Sequence, residues 1–408
     1  MATERDVVAY LQTSQAIRDR TQKIFEQCQD NALEHFTCDL SQLEPVASYV
    51  VETTQQSYPD FEVPFHSRWR HFDAGGVHRL AVLHQKLQPL DKLGKARSLI
   101  DLAIVSVLLD AGAGGEWQYR DAVADTVLGR SEGLAIASLR AFEQGFFSAD
   151  SADPYRVDAE RLQQISELEL AQAFQVSKDN PLVGLSGRLM LLHQLGEALT
   201  EQPGYFGTAP ARPGRLLDAL KERYGTELDA GVLLTKVLKC FGSIWPGRVD
   251  FAGVNLGDVW PHPALGHSPP ENLVPFHKLS QWLTYSLVEP LEIAGISVVN
   301  LNALTGLAEY RNGGLCVDLG LLVPKHRRVR AVAHLPSSAV VVEWRALTVV
   351  MLDLVGDRVR KQLNKSAEEL PLIKVLEGGT WAAGRRIAKQ LRPESVPPIA
   401  IESDGTVF

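Results

Sequence analysis

The chain has 408 residues, 45% of them apolar and 22% charged, with a formal net charge of -8. That apolar share supplies an ample core, and the length suits two or three domains or one large helical domain with a subdomain. The acidic balance argues against a protein that coats nucleic acid or anionic membrane, while leaving room for a local basic pocket.

The longest apolar run, LAIVSVLL at 102–109, is too short to cross a bilayer. The opening MATERDVVAYLQ lacks a basic-then-apolar signal pattern, so the cytoplasm is the expected compartment. Cys28, Cys38, Cys240 and Cys316 form no C-x-x-C pair, which points to ordinary thiols rather than a disulfide framework or structural zinc.

In chain order, TERDVVAYLQ and SQAIRDRTQKIFEQCQDNALEHF space their apolar residues as helices, with Thr3 and Ser14 as candidate N-caps. DLSQLEPVASYVVETTQQSYP continues the pattern to Pro59. After the polar stretch PFHSRWRHF, Gly75 and Gly76 free the chain to turn. KARSLIDLAIVSVLLDAGAGG reads as a buried helix, and Asp101 inside it needs a partner or a task. RSEGLAIASLRAFEQGFF, DAERLQQISELELAQAFQV, NPLVGLSGRLMLLHQLGEAL and RPGRLLDALKERYG read as further helices.

Residues 242–277 then form a Gly- and Pro-rich stretch whose Trp and His content favours an ordered loop. HKLSQWLTYSLVEPLEIAG returns to helix, with Pro290 expected to kink or end it. GGLCVDLGLLVP and SSAVVVEW carry β-branched residues and are candidate short strands near Cys316 and Val340. EWRALTVVMLDLVGDRVRKQL is the last long helix expected. The fold class is therefore mainly α with a few short strands. Composition divides the chain into N-terminal helices at 1–60, a helical domain at 61–238, a helical and loop-rich domain at 239–392 with most candidate site residues, and a tail at 393–408.

Neither G-x-G-x-x-G between strand and helix nor G-x-x-x-x-G-K-[ST] occurs, so those two forms of nucleotide binding lack support. Four constellations carry chemistry. His66, Arg68, Trp69, Arg70 and His71 supply fork-shaped donors suited to an oxyanion, or else surface ion pairs. His277, Lys278 and Gln281 open a helix whose free N–H groups suit an anionic ligand, although a core Trp282 beside a solvated Lys is the simpler explanation of this cluster by itself. In NLGDVWPHP, Asn255 and Asp258 bring polar atoms to a loop and Trp260 a flat apolar face. His262, His267 and His277 match no strong metal spacing. In TGLAEYRNGGLCVDLG, Glu309, Tyr310, Arg311 and Asn312 set carboxylate, phenol, guanidinium and carboxamide side by side, as a catalytic group or a solvated turn. Glu343 and Arg345 flank Trp344, most simply as a structural ion pair.

Taken together, PFHSRWRHFDAGG, AFQVSKDNPLVGLSGR, WPGRVDFAGVNLGDVW, LVPFHKLSQWLTYSLVEPLE, LTGLAEYRNGGL and VVEWRALTV resemble the uracil-catabolism-protein-4 family, domain of unknown function 1688, from about residue 20 to 390. One departure is Ala308, where the family pattern has Pro. The resemblance implies a route that degrades uracil through ribosylated intermediates. In that route a partner similar to GTP cyclohydrolase II opens the ring, and this family releases urea from ribosylurea or its 5'-phosphate. VPFHKLSQWLTYSL and LAEYRNGG are also reminiscent of queuosine-salvage nucleoside hydrolases, which implies a core like that of helix-hairpin-helix DNA glycosylases.

In those enzymes a D-Y-R motif places a carboxylate at the ribosidic bond, and Glu309 stands at that position. Under this reading Glu309 stabilises the ribosyl cation or activates water, while Tyr310, His277 or Asn312 donates to departing urea. Asp258 and Asn255 suit ribose hydroxyls, and Arg68, Arg70 and Lys278 form a cationic wall for a phosphate. No cofactor or metal is implied. Two rivals remain. A uracil phosphoribosyltransferase would need an acidic pair before a T-G-G-T-like loop, which is absent; a non-catalytic carrier would tolerate loss of Glu309.

Overall fold

The computed structural model describes residues 3–110, 112–246 and 249–402. Its contacts group the chain into two units. Of the described residues, unit 1 comprises 3–66, 249–281 and 300–402, and unit 2 comprises 67–110, 112–246 and 282–299. The linear division at 60, 238 and 392 differs from this grouping. Changes of composition mark stretches of chain, whereas packing joins segments far apart in sequence.

In unit 1 the helix Ala339–Leu363 is buried over most of its first half and packs against Ser14–Gln29 and Leu43–Ser57. Val340, Val341 and Val342 belong to it, not to a strand. Their β-branched preference is overridden because all three are buried within a helix whose apolar residues continue to Val359. Cys316 likewise lies in the helix Tyr310–Asp318, and the strand expected nearby is confined to Leu322–Pro324, paired antiparallel with Phe36–Cys38. Thr3 caps Glu4–Leu11 in a capping box as its spacing suggests. The next helix is capped by Thr13 rather than Ser14, its hydroxyl accepting from Ala16 N at 3.1 Å. The Gly- and Pro-rich stretch contains an antiparallel pair, Val259–Pro261 with Leu273–Pro275.

A further helix, Trp381–Leu391, lies beyond the expected last one and packs on Tyr310–Asp318. Gly384 permits this approach: a Cβ there would stand 2.1 Å from the Arg311 carbonyl oxygen. Gly384→Ala forces the two helices apart against rigid backbone, an overpacking that costs about 1–3 kcal/mol. Denaturant unfolding of the variant checks this, and an unchanged midpoint contradicts it.

Unit 2 is built on the helices Lys92–Leu108, Arg130–Glu143, Leu185–Glu201 and Ala230–Phe241. Asp101, fully buried, finds the partner it needs in Arg212 and in the N–H groups of Gly214 and Val157. Small sheets complete the unit: Gln118–Asp121 with Thr126–Gly129 antiparallel, and Glu227–Asp229 with Ser297–Val299 parallel. The helix Lys278–Ile293 starts in unit 1 and continues in unit 2 after Gln281. It runs through Pro290 instead of ending there. The missing N–H of Pro290 leaves the Ser286 carbonyl without its helical donor, and the Trp69 indole supplies one at 2.8 Å. Trp69→Phe removes that donor together with part of a buried ring, and the stranded carbonyl and the space left behind are expected to destabilise the fold by more than about 1 kcal/mol; equal stability by denaturant melting refutes the substitution of bonds. Among the described residues no helix is long and apolar enough to cross a membrane.

Candidate functional site

In unit 1, NLGDVWPHP folds as a tight turn. Asn255 Oδ1 accepts from Gly257 N at 2.9 Å, and Gly257 takes a φ of 66° that costs a glycine little. The turn aims Asp258 inward, where Arg345 grips it bidentately at 2.7 and 2.8 Å. The Trp260 indole donates to the same carboxylate at 2.7 Å, and the backbone N–H of Lys278 at 2.9 Å. Burial alone would raise the Asp258 carboxyl; Arg345 and these donors outweigh it and hold it well below the usual carboxylate range. With four donors on its two oxygens, Asp258 organises the loop and has no oxygen to spare for ribose. That corrects the hydroxyl-binding role expected of it.

Arg345 does more than neutralise Asp258. Its guanidinium lies over the Phe276 ring, 4.1 Å from the centroid, and its Nε donates to the Ala308 carbonyl at 3.2 Å. Ala308 precedes Glu309, which caps the helix Tyr310–Asp318. Glu309 Oε2 accepts from Arg311 N at 2.7 Å and Oε1 from Asn312 N at 2.6 Å. Burial pushes the Glu309 carboxyl above its ordinary value, offset in part by those two N–H groups and by the charges of Lys278 and Arg311. A carboxylate so placed is dry, rotationally fixed and next to cations. Those properties suit a group that must exchange a proton or face a developing positive charge.

The neighbours are less uniform. Tyr310 is half-buried, its ring 5.0 Å from the Arg311 guanidinium carbon, and Arg311 Nη1 donates to the Ser395 carbonyl at 2.7 Å. Asn312 donates to the Leu307 carbonyl at 3.1 Å. Lys278 is half-buried, whereas Gln281 is buried, with its amide committed to Thr305 and the Phe276 carbonyl. His277 turns away from the role of donor to a leaving group. It is buried, and its Nε2 lies 2.8 Å from the Leu11 carbonyl, which can only accept, so that nitrogen carries the hydrogen. Burial lowers the His277 pKa, favouring neutral imidazole. His66 is buried too, its Nδ1 2.6 Å from Glu377.

The arginines of the first cluster lie in unit 2. Arg68 is fully buried and pairs with Asp110 at 2.7 Å, while also donating to Ser106 and Ser131. Arg70 pairs with Glu289 at 2.6 Å, and Ser67 donates to the other oxygen of that carboxylate at 2.9 Å. Both cations are thus neutralised inside their own unit, which corrects the expected phosphate-binding wall of Arg68, Arg70 and Lys278. The bare sequence could state that buried arginines need partners but could not name Asp110 or Glu289.

Arg345 carries no local mark in the sequence of its link to Asp258. Glu343, its expected partner, instead accepts from His35 N and Phe36 N at 3.1 and 2.7 Å and lies 3.6 Å from His262. The two residues sit on opposite sides of Trp344 in one helix, so they face different neighbours.

Comparison with known proteins matches the model of a family described as "Protein of unknown function (DUF1688)" over residues 10–408. The chain belongs to the DUF1688 family. It is 41% identical over 419 aligned positions to Protein urg3 of Schizosaccharomyces pombe, covering all of both chains. It is 36% identical to Uracil catabolism protein 4 of Lachancea kluyveri over 98% of this chain and 99% of the relative. Within the DUF1688 chain the Asp258, Lys278, Glu309 and Arg345 cluster thus belongs to a full-length family domain, since all four fall inside the matched span.

Proposed function

We propose that this DUF1688 protein acts in uracil catabolism and hydrolyses the N-ribosidic bond of ribosylurea or its 5'-phosphate. The first half of the proposal is supported by a full-length relative named Uracil catabolism protein 4. The observation that carries the second is Glu309: a buried carboxylate with a raised pKa, fixed by two backbone N–H groups beside half-buried Tyr310 and Lys278.

In the reaction the C1–N bond breaks and its electron pair leaves with the urea nitrogen. Water adds to the ribosyl cation and loses a proton. Glu309 stabilises the cation as it forms or takes the proton from water. Tyr310 donates a hydrogen bond to the departing nitrogen, which takes up one proton as it leaves, balancing the proton that water loses. The products are urea and ribose or ribose 5-phosphate. A ring-opening enzyme resembling GTP cyclohydrolase II supplies the substrate.

The test gives purified protein ribosylurea and ribosylurea 5'-phosphate separately and follows urea with a coupled urease assay. Urea from either supports hydrolysis; binding of either without urea points to a carrier; neither urea nor binding overturns the proposal. Where turnover is seen, its pH dependence carries a further expectation. Glu309 must be ionised to act, and its carboxyl lies above the ordinary glutamate value of about 4.3. The rate therefore rises with pH along an acidic limb whose midpoint exceeds that value. A limb centred at or below it contradicts Glu309 as the titrating group.

A further inference from the structure

The four free thiols do not share one environment. Cys240 and Cys316 are buried, and burial pushes both thiols up to about 12. Cys28 and Cys38 lie together in unit 1. Cys28 is buried near the end of the helix Ser14–Gln29, and half-buried Cys38 closes the strand Phe36–Cys38 that packs on that helix.

The fold brings the two sulfurs together by pinning the chain between them. Asn31 turns at a φ of 55°. Lys325, which follows the strand paired with Phe36–Cys38, donates from Nζ to the carbonyls of Asn31 and Leu33 at 3.1 and 2.5 Å. Glu343 accepts from the N–H groups of His35 and Phe36. The Cys28 sulfur thus rests beside the strand, 3.9 Å from the Phe36 carbonyl oxygen, and its S–H donates to the Cys38 sulfur. One thiol proton directed at the other sulfur divides their chemistry. The bond from Cys28 holds the Cys38 thiol down to about 7, whereas the same bond, together with burial, pushes Cys28 well up. Cys38 is therefore the better nucleophile and the more open to solvent, while Cys28 keeps its proton.

We propose that Cys28 and Cys38 form a reversible oxidation site for hydroperoxides, in which Cys38 is oxidised first and Cys28 closes a disulfide. The Cys38 thiolate bonds to one peroxide oxygen as the O–O bond breaks. The electron pair leaves on the other oxygen, which takes a proton and departs as water or an alcohol. The Cys28 sulfur then bonds to the sulfur of the Cys38 sulfenic acid, the S–O bond breaks, and hydroxide leaves with the Cys28 proton as water. The two thiols lose two electrons and the peroxide gains them. The oxidant needs to reach Cys38 alone, since Cys28 is already hydrogen-bonded to it. A small thiol reductant reopens the bond.

In the test the full chain is reduced, freed of reductant and treated with hydrogen peroxide in slight excess. The remaining thiols are alkylated after denaturation and the peptides weighed. Cys28 and Cys38 share one tryptic peptide, Ile24–Arg68. That peptide is expected to lose two hydrogens and escape alkylation at least about tenfold faster than Cys240 or Cys316 is oxidised. Cleavage after Glu34 then leaves fragments joined only through Cys28 and Cys38. Cys28→Ser keeps a donor to Cys38 and should stop the reaction at a sulfenic acid on Cys38, which dimedone captures. Cys38→Ser should take up no dimedone at Cys28. A wild-type peptide that stays fully alkylated overturns the proposal, as do oxidation of all four thiols at one rate and dimedone on Cys28 in Cys38→Ser. The wild-type measurement depends on no variant folding and needs no substrate, so failure of urea release bears only on Glu309.

Discussion

Glu309→Gln is expected to lower kcat on the order of a thousandfold while leaving the protein folded. The substitution keeps the shape of the side chain and removes its ability to carry negative charge or accept a proton. Its effect on the fold is small for a reason visible at the helix start. Glu309 accepts one N–H on each oxygen, from Arg311 and Asn312, and Gln retains one acceptor oxygen for that pair. Loss of half a cap costs about 1 kcal/mol. Gln is also neutral, and burial that disfavours the charged Glu309 does not penalise it in the same way. The two effects oppose each other, so the thermal midpoint should move by only about 2 °C. Turnover within tenfold of wild type, in a folded variant, removes Glu309 from the mechanism. A large loss of both activity and midpoint would instead mark Glu309 as a capping residue.

The sequence made the helices legible where apolar spacing and caps agreed. Glu4–Leu11 with Thr3, and Lys92–Leu108 with its buried Asp101, follow from pattern and from the cost of unpaired charge. It misled where propensity and packing disagreed. Val340 to Val342 read as strand but are buried in the longest helix, because tertiary packing sets their state. Pro290 reads as a helix end; only the structure shows Trp69 supplying the donor that lets the helix continue.

The candidate site divides in the same manner. The sequence marks Glu309 as one of four adjacent polar groups, with a solvated turn as the alternative; its burial and its two backbone N–H donors are seen only in the structure. That Asp258 is bound by Arg345, 87 positions away, was not legible. An ion pair between distant residues leaves no local mark, and several arginines could have served. Arg68 and Arg70 show the converse: their residue type suggested an anion clamp, but Asp110 and Glu289 already neutralise them.

Arg345 carries the second large expectation, because it joins the Asp258 turn to the carbonyl that precedes Glu309. Arg345→Met removes one member of a buried ion pair and strands the other, which is expected to destabilise the protein by about 3–5 kcal/mol. Most of that is the penalty on orphaned Asp258 and not the worth of the pair itself. Asp258→Asn combined with Arg345→Met should therefore recover part of the loss, since no buried charge is left behind. The pH dependence has a defined sign. In the wild type the Asp258 pKa is depressed on folding, so its contribution is fully present above the unfolded value of about 3.9 and is lost as pH falls through the lower folded value. In Arg345→Met the remaining carboxyl is buried without its cation, which raises its pKa and favours the protonated form. The stability gap between the two proteins should thus narrow as the medium is acidified toward pH 4. Guanidinium unfolding at neutral and acid pH measures the gap directly. A loss below about 1 kcal/mol at neutral pH, or a gap that widens on acidification, would mean that the pair does not hold this part of the fold. The same variant loses the Nε donor to Ala308, so the turn that presents Glu309 loosens and turnover falls along with stability. In the double variant part of the stability returns without that donor. Turnover that stays low there assigns Arg345 a part in positioning Glu309 that its charge balance with Asp258 does not explain.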